Sequence, residues 1–149
     1  MNTVLIRQLT LLTLLLCAPL GALAQNSQSH GNYVVYYNAF TTSFLQPAIA
    51  KSYGVTRSKH RAMVVLSVQK KVMGTTGQPV TAQITGTATN LNDQIRVMTL
   101  RKIRDGDALY YIGVAPIADM ETLNFSFQVK PAGSGQNFNV KFRHRFYTR

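Results

Sequence analysis

Two groups of alternating basic residues are the side chains whose type and spacing best support chemistry, and that chemistry is anion binding. They are Lys141, Arg143 and Arg145 near the C-terminus, and Arg57, Lys59 and Arg61 in the middle of the chain. Alternate residues of a β-strand point to one face, so each group, if extended, places its cations about 6.6–7 Å apart in a line. This spacing suits several separate phosphate or carboxylate groups better than one small anion. The alternative is a solvated face that keeps the protein soluble.

The overall charge favours a negatively charged partner. The 149 residues include 16 lysines and arginines but only five acids, which gives a net charge of +11. A surface that serves only solubility normally mixes both signs. This balance favours lipid headgroups, lipopolysaccharide, nucleic acid or an acidic protein. Nucleic acid is the least favoured, because the sequence contains none of the nucleic-acid-binding motifs.

The residues that catalysis would need are few and scattered. The sequence contains no Gly-x-Ser-x-Gly motif, no His-Glu-x-x-His motif and no phosphate-binding glycine loop. Asp105 and Asp107 could be paired carboxylates, but the dipeptide Asp105-Gly106 is better explained as a turn. The histidines are too dispersed to form a zinc site, and they are His30, His60 and His144. We therefore predict a protein that is not an enzyme and that has no cofactor or metal.

His144 is the histidine that alternation places inward, in register with Phe142 and Phe146. It is either a ligand or acid–base group in a pocket, or a packing residue that is hydrogen-bonded to the backbone. No carboxylate lies near it in the sequence, which favours the packing role.

The last hairpin of the chain, residues 122–147, indicates the fold that must position these side chains. Both arms alternate apolar and polar residues, as expected of strands with one buried face. The inward residues are Leu123, Phe125, Phe127, Val129, Phe138, Val140, Phe142 and Phe146. With the other alternating segments, they predict an all-β fold, an antiparallel immunoglobulin-like sandwich of about seven strands with one short helix. A small closed barrel is the alternative.

Four local features complete this prediction. Residues 25–32 are polar and predict a flexible leader. A helix of at most about two turns, beginning at Pro47, is predicted to plug one end of a sheet. Asp105-Gly106 predicts a two-residue hairpin turn with Arg104 directly opposite Asp107. The strand predicted over residues 94–104 loses its alternation from Leu100 to Arg104, which predicts a bulge there.

Residues 1–24 predict a cleaved export signal. Arg7 precedes an apolar run that ends in Ala22-Leu23-Ala24, a small-x-small cleavage site. Pro19 and Gly21 interrupt this run, which is too short for a membrane anchor. Removing 24 of the 149 residues leaves residues 25–149 as a single periplasmic domain of 125 residues with no transmembrane anchor. This domain contains no cysteine, because Cys17 leaves with the signal.

Several short segments follow one another in the order and spacing of a known family. They are Tyr36-Tyr37-Asn38-Ala39-Phe40, Phe44-Leu45-Gln46-Pro47, Tyr53-Gly54, Arg57-Ser58-Lys59, Arg104-Asp105-Gly106-Asp107 and the closing Phe146-Tyr147. Through them the chain resembles small exported proteobacterial proteins catalogued as domain of unknown function 4426. The resemblance covers nearly all of residues 25–149. It implies a bacterial periplasmic protein with a sandwich fold, and it implies no activity, ligand or catalytic residue.

Two functions of different classes remain open. The first is a non-catalytic protein-interaction module that pairs with an envelope protein through a sheet edge or the loops at one end of the sandwich. The second is an electrostatic binder of anionic envelope lipid or glycolipid headgroups through the two basic groups. Salt separates them, because electrostatic binding weakens steeply with ionic strength and apolar edge pairing does not.

Overall fold

Two antiparallel β-sheets pack face to face in the computed structural model, which describes residues 26–149. The predicted export signal and Cys17 lie outside the described residues. The strands are β1 (Ser27–His30), β2 (Tyr33–Thr41), β3 (Arg61–Lys70), β4 (Gln78–Pro79), β5 (Ala82–Asn90), β6 (Ile95–Met98), β7 (Arg101–Asp105), β8 (Ala108–Pro116), β9 (Thr122–Pro131) and β10 (Phe138–Arg145). A 3-10 helix (Thr42–Phe44) and helix α1 (Pro47–Ser52) lie between β2 and β3.

The two sheets form a sandwich, which confirms the predicted immunoglobulin-like architecture and not the barrel. The larger sheet has the order β1-β2-β3-β8-β7, with β4 also paired to β3, and the smaller sheet has the order β10-β9-β5-β6. The described residues contain ten strands instead of about seven. The difference arises from two short strands, β1 and β4, and from one predicted strand that forms both β6 and β7.

The core lies between the sheets and is filled by the inward residues of both. Phe125, Phe127 and Phe146 are buried, as the alternation predicts. Phe142 is only half-buried, and its ring stacks between those of Phe125 and Tyr37, with centroid distances of 4.8 and 4.4 Å. Aromatic stacking of this kind stabilises the fold in addition to the apolar area that β10 buries. The hairpin β9–β10 is therefore anchored to the core along its length.

Helix α1 has the expected boundaries but not the expected position. Proline occupies its first turn at Pro47, and Gly54 follows it with a φ of +60°. Leu45 and Tyr53 pack with Val55 on a second apolar cluster that includes Met63 of β3. Met63 alternates with core residues of β3, so this cluster lies on the outward face of the larger sheet. The prediction that the helix plugs one end of a sheet is wrong.

The hairpin between β7 and β8 turns one residue later than predicted. Asp105 pairs with Ala108 and Arg104 pairs with Leu109, so the turn residues are Gly106 and Asp107. Gly106 has a φ of +58°, the conformation that the first position of a primed turn requires. The predicted pairing of Arg104 with Asp107 is wrong. A shift by one residue exchanges the two faces of a strand, and the observed register places Leu109 in the core.

Two further segments differ from their predictions. The chain leaves the smaller sheet after Met98 and enters the larger one at Arg101, so the lost alternation marks a crossing between sheets and not a bulge. The predicted leader is largely strand β1, in which Ser27–His30 pair with residues 33–36 of β2. Polar composition did not reveal this strand, because an edge strand needs few buried side chains.

Candidate anion-binding site

Lys141, Arg143 and Arg145 project from one exposed face of strand β10, and we call them the basic strip. All three side chains are exposed, whereas Phe142 and His144 between them are partly buried. Strand β10 lies at an edge of the smaller sheet and pairs only with β9. The alternation in the sequence therefore predicts their shared face correctly. Arg143 is also oriented, since its Nε donates a hydrogen bond of 2.7 Å to Oδ1 of Asn124.

The basic strip borders a sheet face that contains no acidic residue. The registers place Lys141 beside Ser126 and Thr87, and they place Arg143 beside Asn124 and Thr89. The other outward positions of these strands are Asn139, Arg145, Thr122, Gln128, Lys130, Gln83, Thr85, Ile95 and Val97. These positions, together with the basic strip and the residues beside it, form what we call the outer face. Hydroxyl groups, amides and cations on one face of a sheet can donate hydrogen bonds to several phosphate or sugar oxygens at once.

The backbone edge of the basic strip is partly closed by a side chain of the other sheet. The Gln28 amide donates from Nε2 to the carbonyl oxygen of Lys141 over 2.7 Å, and its Oε1 accepts from the Lys141 N–H over 3.4 Å. An added β-strand would use the same two backbone groups. Because backbone direction alternates along a strand, the N–H and C=O groups of Arg143 and Arg145 also point to this edge. Cationic edge residues disfavour pairing with another strand.

The second predicted group does not form a comparable line. Lys59 and His60 lie in a turn, so residues 57–61 are not one extended strand, and the expected row of Arg57, Lys59 and Arg61 is wrong. Arg57 donates from Nη2 to the carbonyl oxygen of Ser43 over 3.0 Å. Arg61 begins β3, where it pairs with Pro116. The three cations therefore have separate surroundings, although all are exposed.

A cleft at one end of the sandwich brings one member of each basic group together. Its volume is about 500 Å³, and we call it the end cleft. Its lining residues are Ala39, Phe40, Thr41, Ser43, Phe44, Lys59, His144, Arg145, Phe146, Tyr147 and Arg149. Lys59 and Arg145 are far apart in the sequence, but the turn before β3 and the end of β10 lie at the same end of the sandwich and place both in this lining. The basic strip thus continues into the end cleft through Arg145.

His144 lies in the end cleft with its imidazole against an aromatic ring. Its ring centroid is 4.6 Å from that of Phe146, and burial lowers the pKa of the imidazole below its ordinary value. His144 therefore favours the neutral form in the folded protein. The contact with Phe146 fits the packing role and the cleft fits the alternative of a group in a pocket, so the choice between the two roles stays a prediction.

The Asp119 carboxylate holds the C-terminal segment beside the end cleft, and the Glu121 carboxylate is bonded to other parts of the chain. The Asp119 Oδ1 atom accepts from the Thr148 N–H over 2.9 Å, and Oδ2 lies 2.8 Å from Nε of Arg149. The Thr148 hydrogen bond is the main cause of the lowered pKa of Asp119. Burial alone would raise the pKa of Glu121, but hydrogen bonds from Arg96, the Ala118 N–H and Asn90 outweigh burial and lower it. Both acids are engaged and leave the cations of the strip unpaired by them.

Phe44 and Gln28 are the residues at this site that sequence reasoning missed as contributors. Phe44 does not share the spacing of Leu45, Ile49 and Tyr53, and this was the one available signal that it faces away from the helix contacts. Gln28 gave no signal, because its partner belongs to the last strand of the chain.

The described residues show neither a metal cluster nor a membrane-spanning helix. Within residues 26–149, no group of three or more histidine, cysteine, aspartate or glutamate side chains is arranged to hold a metal ion. No helix in this part of the chain is long and apolar enough to cross a bilayer.

The fold defines a small β-sandwich protein that carries a strip of exposed cations on one sheet. The chain belongs to the DUF4426 family, a domain of unknown function, whose model matches residues 27–149. This finding confirms the resemblance seen in the sequence. A crystal structure of a DUF4426 family protein (PA0388) from Pseudomonas aeruginosa PAO1 is 30% identical, with a TM-score of 0.72, and the match covers 83% of this chain and 94% of that one.

More distant structures share the fold alone. FetP of uropathogenic Escherichia coli strain F11, expressed recombinantly in the E. coli periplasm, is 10% identical with a TM-score of 0.59 over 83% of this chain and 94% of its own. A copper-bound single-residue variant of FetP is also 10% identical, with a TM-score of 0.57 over 83% of this chain and 95% of its own. A search of curated proteins found no match.

Proposed function

We propose that this protein is an exported, non-catalytic binding module whose basic strip docks on negatively charged headgroups of the bacterial envelope. The observation that carries the proposal is the composition of the outer face. It presents Lys130, Lys141, Arg143 and Arg145 among hydroxyl and amide side chains, and none of the five acids of the chain lies on it.

The affinity of such docking depends on the number of cations that reach the headgroup layer together. Each lysine or arginine near an anionic bilayer contributes about 1 kcal/mol. The three residues of the basic strip therefore supply about 3 kcal/mol, which corresponds to an affinity gain on the order of 100-fold. The sheet suits an extended surface because its cations are spaced along a strand and do not converge on one point.

A protein partner is the second candidate, and a different edge of the sheet favours it. Strand β6 lies at the edge opposite to β10, and its outward side chains Ile95 and Val97 are 67% and 82% exposed. Exposed apolar residues on an edge strand are typical of surfaces that pair with another chain. The β10 edge is less suited to such pairing, since Gln28 covers the backbone of Lys141 and cations flank the rest.

Export to the periplasm is part of the proposal and is compatible with both candidates. Proposed export rests on the signal-like composition of residues 1–24, which end in a small-x-small cleavage site. Copper is bound by the FetP variant, and an identity of 10% to that protein establishes a shared fold only. The residues described here also provide no cluster of histidine and acidic ligands for it.

The test reverses the charges of the basic strip with Lys141→Glu, Arg143→Glu and Arg145→Glu in one variant. Residues 25–149 are sedimented with vesicles that contain phosphatidylglycerol, at low and at moderate ionic strength. A matched control, Lys51→Glu, Lys102→Glu and Arg104→Glu, changes the net charge equally at exposed residues outside the outer face. We expect the strip variant to lose at least 100-fold in affinity, and the control to lose much less.

Three outcomes would overturn the proposal. They are equal sedimentation of wild type and strip variant, equal losses in strip variant and control, and no sedimentation of the wild type. The variants should remain folded, because exposed substitutions usually change stability by less than about 0.5 kcal/mol. If Val97→Lys abolishes binding to an envelope protein while vesicle binding is absent, the second candidate is supported instead.

A further inference from the structure

Two aromatic side chains project into solvent at the end cleft. Phe44 is 80% exposed and Tyr147 is 64% exposed. Both line the same cleft as Lys59 and Arg145. Single exposed apolar residues are common on protein surfaces, but an exposed aromatic pair beside cations marks a site of interaction.

The segment that carries Phe44 is held rigidly in its exposed position. Thr42 is completely buried, and its hydroxyl accepts a hydrogen bond of 2.8 Å from the Ser58 N–H. The same hydroxyl lies 2.9 Å from the carbonyl oxygen of Thr56, to which it donates. The Ser43 N–H donates to the carbonyl oxygen of Ser58 over 3.2 Å, and Arg57 donates to the carbonyl of Ser43. Folding Phe44 back onto the core would break this network.

Tyr147 is held outward by its two neighbours in the chain. Phe146 is 2% exposed, and its N–H donates to the carbonyl oxygen of Glu121 over 2.9 Å. Thr148 is 7% exposed and is bonded through its N–H to Asp119. Because extended backbone alternates direction, two inward neighbours direct Tyr147 to solvent. Its phenol also lies near a cation, with Cζ of Arg145 5.6 Å from the ring centroid.

The chemistry of this end matches the interfacial layer of an anionic bilayer. Tyrosine is enriched at the depth of the headgroups, and phenylalanine enters the boundary with the acyl chains. Lysine and arginine at the same level contact lipid phosphates. The end cleft lining contains no acidic side chain that would repel them. A peptide partner would favour an enclosed apolar groove, whereas here both aromatic side chains project.

We propose that Phe44 and Tyr147 form a membrane-insertion tip that enters the interface of an anionic bilayer while Lys59 and Arg145 bind lipid phosphates. This inference rests on the proposed function and assigns its partner as the phospholipid surface. Arg145 belongs to both the basic strip and the end cleft, so the outer face can lie on the bilayer while this end of the sandwich enters its interface. The tip adds apolar binding energy that salt does not screen.

The absence of tryptophan from the sequence gives a direct test. Phe44→Trp introduces a sole tryptophan at the tip, and its fluorescence is recorded with phosphatidylglycerol vesicles and with phosphatidylcholine vesicles. We expect a blue shift and quenching by brominated lipid with the anionic vesicles only. Met73→Trp is the matched control, since Met73 is fully exposed beyond the opposite end of β3 and should show neither effect.

A second variant measures the contribution of the tip to affinity. Phe44→Ser should weaken vesicle binding on the order of tenfold, and the loss should persist at high salt. Stability should be unchanged because the side chain is 80% exposed, and a urea titration verifies this. If the wild type binds but Phe44→Trp shows no shift and Phe44→Ser binds equally, the tip is refuted while the proposed function stands. If the wild type does not bind anionic vesicles, both fail.

Discussion

Gly86 is the residue whose replacement tests most directly how tightly the aromatic core is packed. It pairs with Phe127 across β5 and β9. A Cβ atom at Gly86 would overlap Cδ1 of Phe127 and would lie 2.7 Å from Cε1 of that ring and from the carbonyl oxygen of Ser126. The Phe127 ring cannot move away easily, because it is fully buried with Phe125 and Phe142 at centroid distances of 6.2 and 6.1 Å. Gly86→Ala therefore overpacks the core.

The expected loss of stability follows from two opposing effects. Overpacking of a buried site costs about 1–3 kcal/mol, and contact with a backbone oxygen places this site in the upper part of that range. The reduced freedom of the unfolded chain returns about 0.4–1 kcal/mol. We expect Gly86→Ala to lower the free energy of unfolding by about 2 kcal/mol, which shifts the urea midpoint by roughly 1 M.

Gly135→Ala is the matched control, since a Cβ atom at Gly135 would meet nothing within 4 Å. Its midpoint should stay within about 0.5 kcal/mol of wild type. A double variant with Phe127→Leu should recover part of the Gly86→Ala loss, with a coupling energy on the order of 1 kcal/mol, because the smaller side chain leaves room for the methyl group. A Gly86→Ala protein that is as stable as wild type would refute the reasoning.

Two further predictions concern acid stability and export. Glu121 has a lowered pKa in the fold, so its contribution to stability is fully present above its ordinary pKa of 4.5 and is lost as the pH falls from there through the lower pKa of the folded state. Urea midpoints should therefore fall below pH 4.5, and Glu121→Gln should flatten this fall. An identical pH profile for the variant would contradict the assignment. Secreted material should begin at Gln25, as measured by intact mass, and retention of Met1 or a lipid-modified Cys17 would contradict the predicted signal.

The strand pattern of the C-terminal hairpin was predictable because alternation is a local property. A residue's face depends only on its position within its own strand, so the buried Phe125 and the exposed Lys141 follow from counting. The turn at Gly106 was predicted one residue early, since Asp105-Gly106 and Gly106-Asp107 are both good turn dipeptides. The packing of Leu109 decides between them, and packing is a tertiary property.

The candidate site was predictable only in its strand-borne half. Lys141, Arg143 and Arg145 lie on one strand, whereas the end cleft depends on which loops meet at one end of the sandwich. Lys59 and Arg145 line one cleft because the turn before β3 and the end of β10 lie at the same end of the sandwich, and no local pattern encodes this arrangement. The same reason explains Gln28, whose hydrogen bonds to Lys141 join the first and last described strands. Long-range pairing of this kind requires the whole topology.

The acid-free outer face points to a role that edge protection alone does not explain. Protection of β10 from pairing with another strand needs cations only on the edge itself, and Gln28 already closes the backbone at Lys141. Strands β9 and β5 are interior strands of the sheet, so charged residues on them do not protect a free edge. Their outward positions nevertheless hold hydroxyl and amide groups and no carboxylate. The proposed docking on a negatively charged surface would explain the absence of carboxylates from these strands, because each carboxylate on the outer face would repel that surface.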